Sequence, residues 1–318
     1  MQVIREVMLR GGQVSAEDRE FMREQQLEFP KTHPARESTG LVPLPDLGAG
    51  KYKGEEGGLY PGGGNAPPRK HLEAGLKIAR AIMPLDANGE PSQDGKIVLL
   101  SVGMSNTTME FQTFQKMARE DPSLNPHLEI VDGAQGGQTA RVTAKPQSKY
   151  WTVNEERLRK EGVTSRQVQV AWIKQANGMP MGESEEEIRT LADDVAGTVR
   201  ALREKCPNVK IVYLSSRIYG GYAATPLNPE PYAYEGGFAM KHVIADQMAG
   251  KLELPWLAWG PYLWTDGLKG RRQDDVVWKR EDVGQDGTHP SNTGREKVAR
   301  MLLEFLKKDA TARPWFLK

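Results

Sequence analysis

The first 39 residues show no sustained hydrophobic repeat beyond a weak helical pattern from Ala16 to Gln26. Residues 40–68 are dominated by glycine and proline and end in Tyr60-Pro61-Gly62-Gly63-Gly64-Asn65-Ala66-Pro67-Pro68. That composition holds neither a helix nor a central strand. It reads either as an extended arm laid over the core or as a loop that contacts substrate. From residue 69 the pattern becomes regular. Leu72, Leu76, Ala79 and Met83 fall on one face of a helix that stops at Pro84.

Beyond that helix, short apolar runs alternate with amphipathic stretches. Residues 97–102, 128–131, 168–173, 209–214 and 256–259 read as buried strands. Helices are predicted over about 107–119, 185–205, 235–249 and 293–308. Thr107 with Glu110, and Ser184 with Glu187, have the spacing of capping boxes. Strand–helix alternation implies an α/β domain whose parallel sheet is covered by helices on both faces, with right-handed crossovers. Residues 96–318 form this expected domain, and residues 1–95 an extension whose arm and single helix lie on it.

Ligands in such sheets sit beyond the carboxyl ends of the strands, and that is where the chemistry-bearing residues gather. The first strand is followed by Gly103-Met104-Ser105-Asn106-Thr107, which puts a hydroxyl at a strand-to-helix turn beside unpaired backbone N–H groups. The same residues also suit a plain helix cap. The second strand leads into Asp132-Gly133-Ala134-Gln135-Gly136-Gly137-Gln138-Thr139, and the third into Lys174-Gln175-Ala176-Asn177-Gly178. Bare glycine N–H groups and an asparagine amide are suitable donors to a developing oxyanion, and equally ordinary turn residues. Ahead of the last helix stands Asp286-Gly287-Thr288-His289-Pro290. A carboxylate three residues before an imidazole can fix its tautomer, leaving the other nitrogen to take a serine proton.

Arg217 and Tyr219 follow the fourth strand, while Trp256, Trp259, Tyr262 and Trp264 surround the fifth. Aromatic faces suit sugar rings, and arginine suits a carboxylate; the competing reading is that the tryptophans are core packing. The loops at 217–236 and 260–285 are long enough to form acyl and sugar pockets.

Composition narrows the field. Lysine plus arginine total 43 against 42 acidic residues, so no global field attracts nucleic acid or an anionic membrane surface. No apolar run reaches the length of a membrane span. Residues 1–10 lack the layout of a signal peptide. The single cysteine, Cys206, is expected to be a buried thiol. His33, His71, His127 and His242 have no ligand spacing, so neither a metal nor another cofactor is expected.

Taken in order, the four motifs resemble the four blocks of the SGNH, or GDSL-type, hydrolase family, over about residues 97–308. The resemblance implies a three-layer α/β/α sandwich with a five-stranded parallel sheet, flavodoxin-like in strand pattern. It further implies a catalytic triad of Ser105, His289 and Asp286, an oxyanion hole from the Ser105 and Gly137 N–H groups and the Asn177 amide, and Arg217, Tyr219 and Trp264 as substrate contacts. Three positions depart from the family pattern. Met104 replaces the aspartate before the serine, Asp132 stands where asparagine is common, and Asn177 is followed by Gly178. The implied activity is a carbohydrate acetyl esterase acting outside the cytoplasm, secreted or periplasmic. Alternatives are an esterase for lipid, thioester or aryl esters, a catalytically silent carbohydrate-binding protein, and a flavodoxin-like nucleotide-binding module.

Overall fold

The computed structural model describes residues 28–179, 182 and 184–318. The helical pattern at 16–26 and the chain start at 1–10 lie outside these residues. Five strands form one sheet: β1 (Ile97–Gly103), β2 (Leu128–Val131), β3 (Val168–Lys174), β4 (Ile211–Ser215) and β5 (Trp256–Trp259). Their order is β2-β1-β3-β4-β5 and every pairing is parallel. β1 and β3 are buried along all seven of their residues, as the continuous apolar runs require of strands covered on both faces.

Among the described residues, six helices of more than two turns accompany the sheet: α1 (Arg69–Arg80), α2 (Ser105–Arg119), α3 (Lys149–Lys160), α4 (Ser184–Lys205), α5 (Tyr232–Met248) and α6 (Asn292–Lys308). α2 packs against α6, and α4 against α5. Phe111 of α2 stacks on Trp172 of β3, and Phe305 of α6 meets Tyr213 of β4 edge-on. The expected α/β/α sandwich with a five-stranded parallel sheet is thus the architecture observed. Because the chain steps from β1 out to β2 and back across to β3, the connections after β1 and β3 diverge. That reversal opens a crevice at the carboxyl ends of these two strands.

The glycine- and proline-rich segment lies along the sheet edge near β5. Leu44 is fully buried, the Trp259 indole donates to the Leu59 carbonyl at 2.6 Å, and Lys241 donates to the Gly57 carbonyl at 2.5 Å.

Four expectations about elements need correction. The 40–68 segment does hold one helical turn, Leu44–Leu47, with Leu44 and Pro45 buried. α2 begins at Ser105, not 107, and its N-cap Met104 makes no side-chain cap. Glu110 is therefore no capping-box partner for Thr107; it lies in the interior and pairs with Lys174. The hydrophobic pattern assigns nothing between residues 132 and 167, where α3 lies. Its buried side chains, Tyr150, Trp151, Asn154 and Leu158, include a polar one, which blurs the apolar stripe. Cys206 is buried as expected, and burial pushes its thiol up to about 12.

Candidate active site

The turn from β1 into α2 is tight. A side chain at Gly103 would come within 2.3 Å of the Thr107 hydroxyl and 2.6 Å of the Lys174 carbonyl, so only glycine lets the strand pass directly into the helix. Ser105 is consequently the first residue of α2, where backbone N–H groups have no partner inside the helix.

Ser105 Oγ lies 2.7 Å from His289 Nε2, and His289 Nδ1 lies 2.5 Å from Asp286 Oδ2. The other Asp286 oxygen accepts the backbone N–H groups of Thr288 and His289, each at 3.0 Å. Burial works against the Asp286 charge, but hydrogen bonds from the His289 ring and these N–H groups outweigh it and hold the carboxyl at about 2. An ionised carboxylate can only accept, so the ring proton sits on Nδ1. Nε2 is then left to accept from the serine hydroxyl. The side chains of His289 and Asp286 are about one-third exposed, at 29% and 32%, and Ser105 is half-buried. Solvent therefore reaches the serine end of this succession.

Neighbouring elements fix the loop that carries Asp286 and His289. Asn106, next to the serine, donates from its amide to the Thr288 carbonyl at 2.8 Å. The Thr288 hydroxyl donates to the Leu227 carbonyl, and Ala224 N–H to the Asp286 carbonyl. Asn106 is the residue that sequence reading missed; only its adjacency to Ser105 hinted at more than a cap.

The glycine loop after β2 docks on the end of β1 through Gln135 N–H and the Gly103 carbonyl. A Cβ at Gly136 would lie 3.9 Å from that of Ser105. Gly137 adopts φ +73° beside open space, and its N–H has no acceptor among the described residues. Asp132 anchors this loop. It accepts from Ser101, Thr108, Gln112 and the Ala134 N–H.

Asn177 lies beside the turn that follows this loop. Its carbonyl oxygen accepts Arg141 N–H at 3.0 Å and its amide donates to Asp194 at 2.6 Å. One of its two amide hydrogens is thus committed to α4, and the other is left over.

The proposed substrate contacts divide. Tyr219 and Trp264 are buried, the tyrosine donating to the Arg36 carbonyl and the indole to Glu230 at 2.7 Å. Trp256, Trp259 and Tyr262 are buried as well. Tyr219 and Trp264 offer no open face for a sugar ring: their apolar area goes to the interior, and the N–H of each of the three indoles finds an internal acceptor. Arg217 is also buried, at 3% exposure, but it has no hydrogen-bond or ion-pair partner among the described residues.

A separate cleft of about 500 Å³ lies between the 45–67 arm and the end of α6, bordered by Trp259, Tyr262, Arg271 and Lys308; Ser105, His289 and Asp286 take no part in it. Among the described residues no group of three His, Cys, Asp or Glu side chains is placed to hold a metal ion. No described helix is long and apolar enough to cross a membrane.

No protein-family model and no curated protein matches this chain. Solved structures similar to it include the periplasmic domain of a lipopolysaccharide acetyltransferase from Salmonella ser. Paratyphi A, at 11% identity and TM-score 0.40, covering 75% of this chain and 96% of that one. A putative acylhydrolase from Bacteroides fragilis has the same identity and coverage, with TM-score 0.37. A salicylyl-acyltransferase from a tetracycline biosynthetic pathway is 12% identical with TM-score 0.34, covering 68% of this chain and 56% of that one.

Proposed function

We propose that this protein is a serine ester hydrolase of the SGNH type, with Ser105 as nucleophile, His289 as general base and then acid, and Asp286 as the group that orients the imidazole. The observation that carries this reading is the unbroken hydrogen-bond succession from Ser105 Oγ through both nitrogens of His289 to Asp286, at 2.7 and 2.5 Å.

Ser105 attacks the ester carbonyl while its proton passes to His289 Nε2, and the imidazolium that forms is stabilised by the Asp286 carboxylate. The tetrahedral oxyanion takes hydrogen bonds from Ser105 N–H, Gly137 N–H and the uncommitted Asn177 amide hydrogen. Donors of this kind contribute about two to three orders of magnitude in rate each. His289 then protonates the departing alcohol. Water, deprotonated by the same imidazole, releases the acid from the acyl-serine.

We assign the substrate class to acetyl esters of carbohydrates, met outside the cytoplasm. The family resemblance implies this class, and Ser105 is only half-buried. Hydrolysis of 4-nitrophenyl acetate by wild type and Ser105→Ala is the decisive comparison. The variant is expected to lose about four orders of magnitude or more in turnover. Similar rates for the two proteins would end the reading. A panel of acetylated sugars against longer-chain nitrophenyl esters then tests the substrate class.

A further inference from the structure

Arg217 follows β4 by two residues, at the same carboxyl edge of the sheet as Ser105. A guanidinium keeps its charge in any protein environment, and burying it without a partner is costly. Yet the Arg217 Nε is sealed from solvent with no acceptor, and no hydrogen bond or ion pair reaches the guanidinium among the described residues. The charges around it are already committed. Glu110 gives both carboxylate oxygens to Lys174 Nζ, at 2.6 and 2.5 Å. Asp286 is bound to His289. Glu230 accepts from Trp264, Gly220 N–H and Tyr234 N–H, and burial raises its carboxyl to about 7. Lys174 adds a like charge that repels Arg217.

Two further buried side chains, on the loop and helix that follow β4, have no partner among the described residues. Tyr232, the first residue of α5, is buried, and its hydroxyl has no hydrogen-bond partner among the described residues. Asn228 is 1% exposed, and neither end of its amide has a partner among the described residues, although its backbone N–H is bonded to the Gly178 carbonyl. Buried polar groups are nearly always paired, so three orphans in the stretch of chain that follows β4 point to something bound there. All three can donate hydrogen bonds, and the one formal charge among them is positive. That is the chemistry of an anion receptor.

We propose that Arg217, with Asn228 and Tyr232, forms a subsite for a carboxylate carried by the ester substrate. The substrate is then an acidic ester, with its carboxylate on the acyl or on the alcohol side. This deepens the ester-hydrolase reading and rests on it for the reaction, but not for the binding.

Two matched pairs test it. 4-Nitrophenyl hydrogen succinate against its methyl ester places the charge on the acyl side, and O-acetyl galacturonate against O-acetyl galactose places it on the alcohol side. One pair is expected to show a preference for the acid of about 10- to 100-fold in kcat/KM, the range of a charge-assisted contact. Arg217→Gln should bring that ratio to about one, and Arg217→Lys should restore part of it. Should Arg217→Gln fail to fold, Tyr232→Phe and Asn228→Ala supply the same readout with smaller losses. Equal rates on acid and neutral partner in both pairs would overturn the subsite while leaving the hydrolase intact. Calorimetry of Ser105→Ala with succinate and galacturonate separates the opposite case. Arg217-dependent binding in a protein that hydrolyses no ester would uphold the subsite and reject the hydrolase.

Discussion

Lys174 and Arg217 stand at the ends of adjacent strands, both almost wholly buried, and the fold treats them in opposite ways. Lys174 closes onto Glu110 of α2, with both side chains 0% exposed. This ties the helix that begins with Ser105 to the strand that leads to Asn177. Burial pulls the Lys174 ammonium down to about 8 even with Glu110 opposing it. Arg217 bears the same desolvation, which lowers its pKa although Glu110, Asp286 and Glu230 oppose it, and receives no hydrogen bond or ion pair in return among the described residues. A buried charge with a partner belongs to the framework. One without a partner is explained more simply by a ligand than by the fold.

The largest effect that would sharpen this contrast is expected at Glu110. Glu110→Gln strands the Lys174 ammonium in the interior and should destabilise the protein by about 3–5 kcal/mol in urea unfolding. A loss below 1 kcal/mol would mean that the pair does not hold the framework. Arg217→Met should go the other way. Replacing an unpaired buried cation by an apolar side chain is expected to stabilise by about 1–4 kcal/mol in the same assay. Marked destabilisation would break the comparison by showing that Arg217 serves the fold. Next comes Asn106→Ala, which leaves the Thr288 carbonyl without its donor, for about 1–3 kcal/mol of stability. The freed loop should also cost about ten- to a hundredfold in ester turnover through misplacement of His289. Unchanged turnover would show that the loop needs no such tether.

The smallest effect is the acid limb of stability. The folded Asp286 carboxyl, at about 2, lies below its unfolded value of 3.8. Its contribution is therefore complete above about pH 4 and is lost as pH falls towards 2. Urea midpoints for wild type and Asp286→Asn should converge over that window, and a constant gap would contradict the assignment.

Much of the site could be read from the chain because its parts lie where local rules operate. Ser105 follows an apolar strand, Gly137 belongs to a glycine cluster after the next one, and Asp286 and His289 are three residues apart. The structure brings Ser105, His289 and Asp286 into hydrogen-bond contact. Tyr219 and Trp264 were misjudged because position after a strand does not reveal whether an aromatic ring faces solvent or interior. Glu110 was misjudged for a related reason: the spacing of a capping box is local, while its partner Lys174 is 64 residues away.

The sequence by itself determined the alternation of strands and helices, and with it a parallel sheet, since periodicity and apolar runs record burial directly. It also determined which residue types stand at the strand ends. Only the tertiary structure decided the strand order β2-β1-β3-β4-β5 and the meeting of residues 105 and 289 across 184 positions. It alone decided which of two neighbouring cations would find a partner. Long-range pairing depends on where packed elements bring side chains in space, and no spacing along the chain encodes that distance.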